Sequence, residues 1–290
     1  MSKNIAVSPH SLNKDATYTL GRTSHETNRL IEQSRIYGES TKRLCQQAGI
    51  AEGMHVLEIG SGAGDVALML VDLVGETGQV VGVDINPIIL ESARKRIQDL
   101  GLNNIEFRAG DAREIIFEEK FDAIVGRFVL MYMSDPTDAL AQLISHLKPG
   151  GIVAFQEPEY TLYPAFRHPD TPLINQLISW ILDVFQHSGA HLNAGFGLYQ
   201  IFIDAGLPAP EMHLQSPIGA EENWAGYRYM TTIFESLLPL IEEYRLATSE
   251  QVDINTLSER LRMEVLKAKR PFYLPLHVTA HARKTPCRLG

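Results

Sequence analysis

The sequence predicts an α/β protein built on a doubly wound sheet of mostly parallel strands. Three observations carry that expectation. Five short apolar runs alternate with helical patterns, a glycine-dense turn follows the first run, and the next two runs end at acidic residues. The first run, Val56 to Ile59, meets Gly60, Ser61, Gly62, Ala63 and Gly64, and a helix opens at Asp65. The second, Gln79 to Val83, ends at Asp84. Asn86-Pro87 then supplies an N-cap with proline at the first helical position, and Gly101 closes that helix. The third run, Ile105 to Ala109, leads into Gly110, Asp111 and Ala112, and the fourth, Phe121 to Val125, into Gly126, Arg127 and Phe128. Asp135-Pro136 starts a helix with Leu140, Leu143 and Leu147 on one face. The segment LKPGG at 147–151 is a turn before the fifth run, Ile152 to Gln156.

The flanks read differently. Thr23-x-x-Glu26 has the form of a capping box opening a helix that breaks near Gly38, resumes to Gln47 and ends at Gly49. After the fifth run, Thr171-Pro172 caps an apolar helix with Leu173, Leu177, Ile181 and Phe185. Glu211 to Ser216 and Pro271 to Ala282 read as two further strands. Between them lie two helical stretches, 224–250 and 255–269, the second with Leu257, Leu261 and Val265 on one face.

The turn at 60–64 has the chemistry of a nucleotide cradle. Glycine tolerates positive φ and close backbone approach, and the following helix offers unpaired N–H groups and a partial positive charge. The spacing is G-x-G-x-G rather than G-x-G-x-x-G, and Glu58 sits two residues before Gly60. A carboxylate there repels a pyrophosphate and welcomes an ammonium or sulfonium ligand. That disfavours a nicotinamide oxidoreductase. A tight βα turn without a ligand is the plain alternative. Asp84 lies 20 residues past Gly64, the offset at which an acid accepts ribose hydroxyls, although an acid at a strand end also serves as a turn residue.

The pattern E-x-G-x-G-x-G, with Asp84, Asp111 and the fourth and fifth strand ends in order, resembles class I S-adenosylmethionine (SAM)-dependent methyltransferases of the bacterial small-molecule type. The resemblance is strong over roughly residues 50–160 and weaker in the flanks, where YTLGRTSHETNRL at 18–30 resembles the N-terminal arm of one subfamily. It implies a seven-stranded sheet with an antiparallel last strand and SAM as cofactor, released as S-adenosylhomocysteine. It also implies cofactor-binding roles for Glu58, Gly60, Ser61, Gly62, Gly64, Asp84, Ile85, Asp111, Ala112 and Arg127. Within that set the resemblance places Asp111 on the adenine amino group, the Ala112 N–H on a ring nitrogen, and Arg127 on the methionine carboxylate, or else as an exposed arginine in a solvated loop. Tyr18, Arg22, Arg29 and Gln33 are arm residues that touch SAM or close the site, or else are polar residues on an amphipathic helix. Residues 1–49 are expected as a helical arm, 50–218 with 271–284 as the core, and 219–270 as a helical lid.

A net charge of −9 and no basic tract argue against a nucleic-acid substrate. The sequence 126–129, GRFV, also lacks the Asn/Asp-Pro-Pro-aromatic element of amino-methylating nucleic-acid enzymes. Two cysteines, Cys45 and Cys287, suggest neither a disulfide framework nor a metal site. No secretory signal or membrane-length apolar run is visible, so a cytoplasmic protein without membrane insertion is expected. Homodimer formation is left open.

For catalysis, Glu157 is the leading candidate base because it follows a strand aimed at the ligand edge; Glu159, His187 and His191 are further candidates, the histidines otherwise serving as surface or helix-end residues. Trp224, Tyr227, Tyr229, Phe234, Phe166 and Trp180 are candidate walls for a hydrophobic acceptor, with most of them expected to pack the lid against the core instead. The leading reading is methyl transfer to a small hydrophobic metabolite. The alternatives are a SAM-assisted catalyst such as a cyclase, or a non-enzymatic SAM-binding protein.

Overall fold

The computed structural model describes residues 24–285. Tyr18, Arg22, Thr23 and Cys287 therefore lie outside the described residues. The chain runs α1 (Ser24–Ala48), β1 (His55–Ile59), α2 (Asp65–Val74), β2 (Gln79–Asp84), α3 (Pro87–Asp99), β3 (Ile105–Ala109) and β4 (Phe121–Arg127). It continues with α4 (Pro136–Leu143), β5 (Leu147–Glu159), α5 (Pro172–His187), α6 (Ala194–Asp204), β6 (Glu211–Gln215) and β7 (Ile218–Gly219). Last come α7 (Ala225–Glu243), α8 (Ser249–Val252), α9 (Ile254–Ala268), β8 (Phe272–Tyr273) and β9 (Leu276–Arg283).

Seven strands form one sheet in the order β3-β2-β1-β4-β5-β9-β6. Pairing is parallel from β3 through β5, and β9 runs antiparallel to both neighbours. The expected antiparallel last strand is present, and β6 keeps the direction of the parallel set. Strands buried on both faces explain the near-continuous apolar runs. In β1, Val56 packs with Leu70 and Val80 on one face, and Leu57 packs with Ile124 and Val153 on the other. The first face is covered by α1, α2 and α3, the second by α4 and α6. A third apolar cluster joins α5, α7 and α9.

Several local expectations need correction. Helix α1 passes through Gly38 without a break, because an interior glycine costs only about 1 kcal/mol and Tyr37, Leu44 and Cys45 are buried along the same helix. Strand β5 begins at Leu147, so the segment read as a turn before it lies inside the strand, with a register irregularity opposite Phe121–Ala123. Thr171 stands at the N-cap of α5 without a side-chain capping bond. The Glu264 carboxylate accepts the Leu173 and Ile174 N–H groups instead. The short β7–β8 pair was not legible in the sequence.

Candidate SAM site and methyl-acceptor cavity

The strand order reverses between β1 and β4, the switch point where such sheets bind ligands beyond the carboxyl ends of their strands. A cavity of about 330 Å³ opens there. Its floor is the β1 turn. Gly60 and Gly62 take left-handed φ values of 71° and 52°. A Cβ on Gly60 would lie 2.9 Å from Val129 Cγ2, and one on Gly62 would lie 2.8 Å from Leu30 Cδ1. Both glycines let other segments close on the cradle. Gly64, with φ 83°, is not among the residues that line the cavity. A Cβ there would meet Phe107 Cζ at 2.9 Å and Ala93 Cβ at 3.1 Å, so its smallness serves packing against α3 and β3.

Asp84 joins two turns. Its Oδ2 accepts the Gly62 N–H at 2.8 Å, and its Oδ1 accepts the Asn86 N–H at 2.8 Å. Asn86 in turn caps α3 through the Ile88 N–H. Ile85 projects beside it, 50% exposed, and lines the cavity with Ala112. Asp111 is on the same wall, its carboxylate gripped by Arg113 Nε at 2.8 and 3.0 Å. Arg96, absent from the sequence reading, clamps the cradle from behind through Ala63 O at 2.6 Å and Asp65 Oδ1 at 2.9 Å.

Glu58 is buried at the end of β1. Burial pushes its carboxyl up to about 8, against the pull of the nearby Ser61 hydroxyl and Arg127. Neither Glu58 Oε2 nor Ser61 Oγ has a hydrogen-bond partner of good geometry among the described residues. Two buried polar atoms in this state are costly unless a ligand satisfies them. A ligand with an ammonium group and hydroxyls does so, and the left-handed glycines and the apolar face of Ile85 suit a nucleoside. The residues present fit SAM. Arg127, partly buried, reaches Thr41 Oγ1 with its Nη1 at 3.4 Å and also faces the cavity.

The two candidate catalytic residues have other tasks. Glu157 is fully buried and does not line the cavity. Its carboxylate accepts the N–H groups of Val129, Leu130 and Met131 at 3.0, 2.9 and 3.3 Å. Burial raises its pKa to about 7, with these three bonds acting the other way. His191 Nε2 donates to Met133 O at 2.9 Å, and its backbone N–H donates to Met131 O. Both residues hold the loop after β4, whose Phe128, Val129, Met131 and Met133 form cavity wall. Phe128 has φ 55°, a strained value for a bulky residue and consistent with a loop held from outside. Glu159 is similarly occupied by the Thr161 and Phe196 N–H groups. His187 bonds Asp183 O and stacks on Tyr244.

Of the six aromatic wall candidates only Tyr229 lines the cavity. Phe234 packs against Trp180, Phe166 stacks on Tyr273, and Trp224 contacts Tyr227 and Phe272. Tyr37, Tyr160 and Phe185 were missed as wall residues. They lie on α1, just after β5 and on α5, and only the folded packing brings them together. Arg29 and Gln33 of α1 do face the cavity, and Gln33 Nε2 donates to Tyr229 OH at 3.3 Å.

The sheet order and the glycine cradle with its two acids define a class I SAM-dependent methyltransferase domain. Residues 50–188 match the family model described as a methyltransferase domain. Among curated proteins, the chain is 36% identical over 141 residues to the ubiquinone/menaquinone biosynthesis C-methyltransferase UbiE of Pseudomonas savastanoi, covering 46% of this chain and 55% of that protein. The chain thus spans about half the length of the curated relatives it matches. The YcgJ protein of Bacillus subtilis shares the fold with a TM-score of 0.56, at 19% identity over 86% of this chain and 99% of that one. A Haemonchus contortus phosphoethanolamine N-methyltransferase solved with S-adenosylhomocysteine shares it at 0.57, with 18% identity over 92% of this chain and 59% of that one.

Proposed function

We propose that the protein transfers the methyl group of SAM to a small, largely hydrophobic acceptor. The observation that carries this reading is the joint occurrence of a SAM-type cradle and an adjoining aromatic wall in one cavity. Glu58 and Ser61 hold the amino end of the cofactor, Asp84 the ribose, Ile85, Asp111 and Ala112 the adenine, and Arg127 the methionine carboxylate. Bound SAM supplies an electrophilic methyl on a sulfonium, which needs alignment more than activation. Tyr37, Phe128, Tyr160 and Tyr229 exclude water and orient the acceptor. Positioning of this kind is worth roughly 7–11 kcal/mol. Glu157 and His191 act through the loop after β4, holding Phe128 and Met131 in the wall.

Residues 219–270 serve as a lid in this reading, supported by Tyr229 and Ile233 of α7 on the cavity. A cytoplasmic setting agrees with Cys45 as a buried free thiol. No described helix is long and apolar enough to cross a membrane. The net charge of −9 weighs against a nucleic-acid acceptor. Incubation with methyl-labelled SAM and metabolite extract, followed by mass spectrometry, is expected to give a labelled product and stoichiometric S-adenosylhomocysteine. Product without S-adenosylhomocysteine would instead indicate the SAM-assisted catalyst. SAM binding without turnover would indicate a binding protein.

A further inference from the structure

Tyr160 lines the cavity two strands away from the glycine cradle. It follows Glu159, the last residue of β5, and the sheet order places β4 between β5 and β1. With strands about 4.8 Å apart, the end of β5 lies roughly 10 Å from the β1 turn. The Tyr160 ring rests against Phe185 and Tyr163, at centroid distances of 5.0 and 6.3 Å. The groups that bear on it electrostatically are Tyr132, Tyr229 and Arg29, and no acid of the cradle is among them.

The Tyr160 backbone is paired. Its N–H donates to Leu192 O at 2.8 Å, and its carbonyl accepts the Tyr163 N–H at 3.0 Å. Its hydroxyl has no hydrogen-bond partner among the described residues. The Tyr227 hydroxyl also lacks one but is sealed inside the protein, whereas that of Tyr160 is not sealed and opens on the cavity. Two neighbouring hydroxyls are engaged. Tyr37 OH donates to Pro275 O at 3.1 Å, and Tyr229 OH accepts Gln33 Nε2 at 3.3 Å. Burial holds the Tyr160 phenol well above its ordinary pKa of 10, so it keeps its proton and serves as a donor. Water in an open cavity satisfies such a hydroxyl. A ligand that displaces the water must replace its bond or lose affinity to an unpaired polar group.

We infer that the methyl acceptor carries a hydroxyl or carbonyl oxygen that takes a hydrogen bond from Tyr160, and that this bond selects it over apolar molecules of the same shape. The inference rests on the methyl-transfer reading, in which the cofactor runs from the adenine beside β3 to the methionine carboxylate at β4. The ground beyond β5 is then left to the acceptor. An oxygen suits the bond, since one lone pair meets Tyr160 and a second stays free. Met131, Phe185 and Ile233 of the same lining have no hydrogen-bonding side-chain N–H or O–H, so they hold the apolar body while Tyr160 fixes its orientation. A site built on such a donor rejects the analogue that lacks the oxygen.

The test is equilibrium dialysis of 2-naphthol and 2-methylnaphthalene, probes of the same shape with and without the oxygen, against the full chain saturated with S-adenosylhomocysteine. Wild type and Tyr160→Phe are compared. The ratio of naphthol to methylnaphthalene affinity should fall at least fivefold in the variant, a comparison that cancels the differing hydrophobicity of the probes. Affinity for S-adenosylhomocysteine should stay within threefold of wild type. The melting temperature should not drop, because the deleted hydroxyl holds no protein group. A ratio that falls less than fivefold overturns the inference. A variant that melts lower or does not fold overturns it as well, by giving the hydroxyl a structural task. A tenfold loss of S-adenosylhomocysteine affinity in Tyr160→Phe does the same by placing the hydroxyl on the cofactor. Failure of the wild type to bind S-adenosylhomocysteine is a separate outcome and overturns the methyl-transfer reading itself.

Discussion

The Glu157 carboxylate accepts the Leu130 N–H at 2.9 Å and thereby fixes the start of the loop that walls the cavity. With the Val129 and Met131 N–H groups it satisfies three donors at once. In Glu157→Gln one acceptor oxygen becomes an amide that faces N–H groups. Leaving buried donors unpaired costs roughly 1–3 kcal/mol each. The expected result is a lower melting temperature together with weaker S-adenosylhomocysteine binding, since Val129 and Met131 line the site. A variant that melts and binds like wild type yet has lost turnover would make Glu157 catalytic instead.

Glu58 and Glu157 should each draw stability down with rising pH in the ligand-free protein. His277, which burial lowers to about 4, opposes them up to about pH 6.5, so the decline should be clearest above that pH. Glu58 and Glu157 have folded pKa values of about 8 and about 7, above the ordinary 4.5. An acid whose pKa rises on folding binds more protons in the folded state, so deprotonation favours unfolding. The loss begins above the unfolded value of 4.5 and is complete once pH passes about 7 for Glu157 and about 8 for Glu58. Melting curves across this window should decline less steeply in Glu58→Gln. An unchanged slope would refute the assigned burial of Glu58.

Asp84→Ala should weaken SAM binding at least tenfold, about 1.4 kcal/mol or more. The residue also secures Gly62 and Asn86, so the alanine variant loses two turn bonds as well. Asp84→Asn keeps an acceptor and separates the effects. Its melting temperature should stay closer to wild type while SAM affinity still drops, as calorimetry would register.

Gly60→Ala and Gly64→Ala should fail in different ways. The first drives a Cβ toward Val129 at the cavity floor and should reduce SAM affinity beyond any loss of stability. The second forces a Cβ between Phe107 and Ala93, away from the cavity, and should cost about 1–3 kcal/mol of stability. Binding measured well below its melting temperature should stay near wild type. The contrast disappears if Gly64 contacts the cofactor.

Gly226→Ala should loosen the helical segment. Trp224 folds back so closely that a Cβ on Gly226 or on Gly219 would collide with its ring. Displacing the indole from Tyr227 and Phe272 should lower the melting temperature with little change in SAM affinity. Differential scanning calorimetry with and without SAM checks both parts.

Much of the cradle could be read from sequence because its information is local. Gly60 and Gly62 are demanded by positive φ within five residues of β1, and Asp84 follows the next strand at the regular βαβ offset, which brings its carboxylate back to the Gly62 N–H, 22 residues earlier. Gly64 answers a local demand as well, with φ 83°, and a distant one that the sequence does not show, from Phe107, 43 residues away. Local reasoning misled at Glu157. A buried acid at a strand end looks like a base until its three N–H partners, 26–28 residues earlier in the chain, are seen. Arg96 gave no signal beyond a basic helix, yet it braces the turn.

The sequence by itself determined the parallel sheet, the caps at Asn86 and Asp135 and the SAM-type turn, since apolar periodicity, proline at a helix start and glycine φ act between near neighbours. Only the tertiary structure decided the acceptor end. Tyr37, Phe185 and Tyr229 come from α1, α5 and α7 and Tyr160 from the loop after β5, and long-range packing alone sets which of their faces meet. The placement of Arg29 is of the same kind. Its charge is visible in the sequence, but its burial at the cavity depends on how α1 lies across the folded core.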